Sequence, residues 1–75
     1  MIMNIHEYAD SRGFYLTIYR YVQSKTWAFE IHDRSLPEDE DKIKTVEGSP
    51  YQRAENSCRK EMDEMYGLRH PKEAK

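Results

Sequence analysis

Phe14-Tyr15-Leu16-Thr17-Ile18-Tyr19-Arg20-Tyr21-Val22, the link Gln23-Ser24-Lys25-Thr26, and Trp27-Ala28-Phe29-Glu30-Ile31-His32 decide the fold of this 75-residue chain. In the first run, Phe14, Leu16, Ile18 and Val22 fall on one side, and Tyr15, Thr17, Tyr19 and Tyr21 on the other. A period of two in aromatic and β-branched residues marks a strand with one covered face. The second run repeats it, setting Trp27, Phe29 and Ile31 against Ala28, Glu30 and His32. The short polar link between them suits a hairpin. Paired in this way, the large apolar side chains share an inner face and the tyrosines share an outer face with Ala28, Glu30 and His32. Arg20 falls by parity with the inner face or its margin.

Downstream, Asp33 to Asp41 contains Pro37 and the run Glu38-Asp39-Glu40-Asp41. Like charges in sequence repel one another, so the run is expected as a solvated loop with none of it buried. Lys42-Ile43-Lys44-Thr45-Val46-Glu47 alternates weakly and predicts a third strand at an edge, where its lysines discourage pairing with another chain. A helix is then punctuated: Gly48 ends the strand, Ser49 is the N-cap, Pro50 the first helical residue, and Gln52 completes a Ser-x-x-Gln capping box. Its inner stripe is Tyr51, Ala54, Cys58, Met62 and Met65, spaced by three or four residues, which reads as core. Outside, Glu55 with Arg59, Arg59 with Asp63, and Lys60 with Glu64 stand at i,i+4. Gly67 predicts the helix stop, leaving 68–75 as a polar tail. Upstream, Met1, Ile2, Met3 and Ile5 fit a short edge strand, and Asn4 equally fits the cap of a helical turn through Ala9, broken at Ser11-Arg12-Gly13. Both readings of 1–13 stay open. The expected architecture is α+β: one domain over 1–67 in which a three-stranded antiparallel sheet packs against one C-terminal α-helix (βββα).

Composition bounds the function. Charged residues make up 35% of the chain and the mean hydropathy is -1.05, close to the disordered class. Grouping offsets this, since six of the nine aromatic residues lie between Phe14 and Phe29. A domain of this length buries only about 60% of its unfolded surface. The net charge of -2 disfavours direct nucleic-acid binding, which ordinarily needs a basic face. A single cysteine, Cys58, forms no internal disulfide and fits a reducing, cytoplasmic address, where it is expected as a small buried hydrophobe. Neither a signal segment nor a membrane span is legible. No cofactor and no metal are expected, because His6, His32 and His70 are far apart in sequence and Cys58 lacks a paired ligand spacing.

The stretch Tyr19-Arg20-Tyr21-Val22-Gln23, then Trp27-Ala28-Phe29-Glu30-Ile31-His32-Asp33, then a helix containing Ala54, resembles the plant ethylene-response-factor DNA-binding domain and integrase arm-binding domains. The resemblance implies three strands lying in a major groove with the helix behind, and it makes DNA binding the alternative function. In those families several arginines on the exposed sheet face read DNA, whereas here that face carries tyrosines, Thr17, Ala28, Glu30 and His32. In general style the chain is also similar to small acidic phage and mobile-element proteins, inhibitors of host defence among them.

The expected function is that of a small non-enzymatic binding or inhibitor protein, phage or mobile-element encoded, occupying a surface on a macromolecular protein partner. A host nucleic-acid enzyme, for example a CRISPR effector, is the concrete version. The expected partner-binding residues are Tyr15, Thr17, Tyr19, Tyr21, Glu30 and His32, because tyrosine concentrates at interface hot spots. Glu38, Asp39, Glu40 and Asp41 join them as a phosphate mimic. The blander reading is that the tyrosines brace the hairpin by cross-strand pairing and the acidic run is only solvated. Glu30 and His32 invite an acid-base role, but the sequence offers neither nucleophile nor oxyanion donors, so no enzyme is expected. A homodimer through the sheet face is the further possibility, and it would hide that surface.

Overall fold

The computed structural model describes residues 3–69; expectations falling on Met1, Ile2, His70 and 71–75 lie outside them. The chain runs α1 (Ile5–Ser11), β1 (Phe14–Tyr21), β2 (Thr26–Asp33), β3 (Lys42–Gly48) and α2 (Tyr51–Arg69). The three strands form one antiparallel sheet in the order β1-β2-β3, and the C-terminal helix packs against it, an α+β fold as expected from the alternation. In the first hairpin Leu16 faces Ile31, Ile18 faces Phe29 and Tyr15 faces His32, so the inner and outer sets are those that parity gives. Val22 is the exception: β1 ends at Tyr21, and Val22 sits in the turn, 84% exposed.

Burial of the inner set builds the core. Phe14, Phe29 and Ile31 are sealed against Ala54, Cys58 and Met62 of α2, with Leu16 and Val46 beside them. Burial pushes the Cys58 thiol up to about 12, so it remains a protonated apolar filler. Tyr51 closes one end, its ring meeting Trp27 edge-on at 4.9 Å and Phe29 at 5.5 Å.

Of the two readings of the N-terminal segment, the helix is realised. Asn4 and Glu7 form a reciprocal capping box, and Gly13, at φ 83, turns the chain into β1. Ile5 and Ala9 enter the core, which places α1 on the same side of the sheet as α2. The other side of the sheet is left uncovered by either helix.

Three details of α2 correct the sequence reading. The Pro50 carbonyl accepts from Arg53 N at 3.0 Å and Ala54 N at 3.2 Å, so Pro50 occupies the cap position and helix residues begin at Tyr51. Ser49 therefore stands one place too early to cap, and Gln52 turns forward to Glu55 and Asn56. Gly67 does not stop the helix, because Arg69 is drawn onto the buried Asp33 and stacks over Phe14, 5.2 Å from its ring centroid. Among the described residues only Glu55–Arg59 of the three expected i,i+4 pairs is made, at 3.9 Å. Asp63 is taken instead by Arg12 and Tyr8 of the N-terminal segment, and Arg59 also donates to the Met3 carbonyl.

Candidate binding face

The outer face is set by the register. Tyr15 opposite His32, Thr17 opposite Glu30, and Tyr19 opposite Ala28 form its rows, and β3 adds Thr45 opposite Glu30 and Glu47 opposite Ala28. All six strand residues expected for binding thus lie on one surface. Ala28 is fully buried beneath the larger side chains around it.

Hydrogen bonds run across this surface. Tyr19 donates to Glu30 Oε2 at 3.0 Å, Tyr21 donates to Glu47 Oε2 at 3.0 Å, and the two hydroxyls lie 3.4 Å apart. The two rings meet edge to face at 5.4 Å. Bonds to Tyr21 and Glu30 hold the Tyr19 hydroxyl well above the ordinary phenol range. The tyrosine therefore stays neutral as a donor to its carboxylate.

Asp41 departs from the expectation for its run. Glu38, Asp39 and Glu40 are exposed as foreseen, but Asp41 is 4% exposed. Its carboxylate accepts from the Tyr15 hydroxyl and lies 2.8 Å from His32 Nδ1. These two partners offset the desolvation that self-repelling composition alone would leave unmatched. They hold the carboxyl below its usual range, the Tyr15 bond first and His32 second. A register irregularity between Ile31 and His32, where β3 skips Ile43, brings the start of β3 up to His32. The Tyr15 ring stacks on His32 at 4.6 Å and 11°, closing this corner of the face. The bond to Asp41 chiefly holds the Tyr15 hydroxyl above its ordinary range, with a smaller contribution from the charge of Glu38.

His32 also turns Nε2 toward Thr17 Oγ1 at 3.3 Å and Glu30 Oε1 at 3.6 Å. Asp41, His32 and Thr17 thus follow the order acid, imidazole, hydroxyl. Thr17 stands exposed on an open strand, and Glu30 competes for the same ring nitrogen. The hydroxyl end of the array is thus open to water, while His32 and Asp41 are largely covered. Among the described residues, no group of three or more His, Cys, Asp or Glu side chains is arranged to hold a metal ion. No helix among them is long and apolar enough to cross a membrane.

Glu47 and Lys42 belong to the face, and sequence reasoning did not single them out. Parity within β3 was the available signal for Glu47; Lys42, whose Nζ lies 3.9 Å from Glu30 Oε2, follows from the irregularity and had none.

Compared with protein-family models, curated proteins and solved structures, the chain matches none of them.

Proposed function

We propose that this protein is a non-enzymatic binding module that acts by occupying a surface on a protein partner with the outer face of its sheet. The observation that carries the reading is the placement of both helices on one side of the sheet, which leaves Tyr15, Thr17, Tyr19 and Tyr21 on the uncovered side. The hydroxyl bonds to Asp41, Glu30 and Glu47 fix the rings before any partner arrives. Pre-ordered aromatic side chains lose less entropy on association. An inhibitor of the phage or mobile-element kind, seated on a host nucleic-acid enzyme such as a CRISPR effector, is the most concrete form of this role, supported by small size and acidic character.

DNA binding by the same face is the weaker alternative, since Glu30, Asp41 and Glu47 would repel phosphates there. Self-association through it would bring the same carboxylates against their own copies.

The test is affinity capture from the native host with the wild type, with Thr17→Arg/Tyr21→Ala, and with Arg53→Glu on the exposed side of α2. Loss of the captured protein with the first variant alone, its circular dichroism unchanged, supports the face. Equal capture by all three contradicts it.

A further inference from the structure

We propose that the outer sheet face receives an arginine-bearing, basic surface of its protein partner, with Tyr19, Tyr21, Glu30 and Glu47 taking a guanidinium. The inference rests on the face being the functional surface and adds the chemistry of what it takes.

An arrangement on the helix side supplies the pattern. There the Tyr8 hydroxyl donates to Asp63, and Arg12 both bonds the same carboxylate at 2.9 Å and lies 3.8 Å from the centroid of the Tyr8 ring. A tyrosine orients a carboxylate, and an arginine stacks on the ring while pairing with the acid. This uses the planar guanidinium in two ways at once, as a fork for carboxylate oxygens and as a plate for an aromatic face. The outer face repeats the tyrosine-carboxylate half of that unit twice, as Tyr19 with Glu30 and Tyr21 with Glu47. No arginine among the described residues joins either pair.

Charge is also segregated across the sheet. Arg12, Arg59, Arg69 and Lys44 are each paired with a carboxylate on the helix side: Asp63, Glu55, Asp33 and Glu61. On the outer side, among the described residues, Lys42 at 3.9 Å from Glu30 is the lysine or arginine found against the carboxylates and is 57% exposed, while Arg34, paired with Asp10, lies 5.6 Å from the Tyr15 ring centroid at the other corner. Among the described residues Glu47 is bonded by the Tyr21 hydroxyl alone, through one oxygen. An acidic surface carrying aromatic faces complements arginine more closely than lysine, whose ammonium is a strongly hydrated point charge. Nucleic acid is the wrong sign for it.

The test is an NMR titration of the full chain at low salt with three probes: a decapeptide of alternating Arg and Gly, its Lys counterpart, and a short DNA duplex. The arginine peptide is expected to shift Tyr19, Tyr21, Ala28 and Glu47, and to bind about threefold or more tighter than the lysine peptide. Glu30→Gln/Glu47→Gln, which keeps acceptors for both hydroxyls, is expected to weaken it about tenfold. Glu47→Gln alone, at an exposed edge position, serves if the double variant loses its amide dispersion. Equal affinity for the two peptides, shifts confined to α2, undiminished binding by the glutamine variants, or a response to DNA instead would each overturn the inference. If capture of a partner is lost with Thr17→Arg/Tyr21→Ala but survives the glutamine variants, the face remains the functional surface and the arginine preference falls.

Discussion

Asp41 is the residue at which composition and structure part. Local reading sees four like charges and infers solvation, but the groups that stabilise Asp41 are Tyr15 and His32, 26 and nine residues away. No periodicity encodes such a pairing. Asp33 was missed for the same reason, since its partner Arg69 arrives from the far end of α2. Burial alone would raise the Asp33 carboxyl, and the bonds from Ser35 and Arg69 overcome it and leave it below the ordinary range. The direction of both shifts fixes a pH dependence. A carboxylate whose folded pKa lies below its unfolded value of about 4 stabilises the fold fully above that pH and loses its contribution as pH falls through the folded pKa. The urea midpoint of the wild type is therefore expected to be level from pH 7 to about 5 and to fall on further acidification. Asp41→Asn is expected to start lower at pH 7 and fall less steeply, keeping the slope due to Asp33. A variant curve parallel to the wild type would refute the role given to Asp41.

At the scale of elements, what was legible follows from repetition. Alternation from Phe14 to Ile31 sorted the strand residues into inner and outer sets, and the spacing of Ala54, Cys58 and Met62 gave the buried stripe of α2. Ends were less legible because they depend on tertiary partners. A glycine such as Gly67 costs a helix about 1 kcal/mol, a penalty that one docked residue beyond it can outweigh. The Arg69 bond to Asp33 is that anchor. Arg69→Ala is accordingly expected to lower stability by about 1–2 kcal/mol, with Asp33 left short of its cation. Amide exchange should accelerate over 66–69 ahead of the rest of α2. Unchanged protection there would mean that the last turn is held by something else. The N-terminal helix was open in the sequence because Ile5 and Ala9 are too few to distinguish a helical from a strand period, and the Asn4–Glu7 capping box decides it only once seen.

The whole molecule is a two-layer body with unlike sides. Its helix layer pairs Arg12, Arg59 and Arg69 with carboxylates, and its sheet exposes tyrosines tied to acids. The sequence carried the residues of that outer face through strand parity, Glu47 included though it was not singled out, apart from Lys42 and the inward turn of Asp41. It could not convey that α1 would pack beside α2 and leave the face open, which is a matter of how the layers stack. The account's central claim is that the protein meets its partner through this face. Hydroxyl-radical footprinting of the chain alone and in complex with the captured partner tests it most directly. Protection of Tyr19, Tyr21 and His32 on binding, with Leu68 on α2 labelled as in the free chain, is the predicted result. Protection on α2 with the sheet tyrosines labelled as before would contradict it.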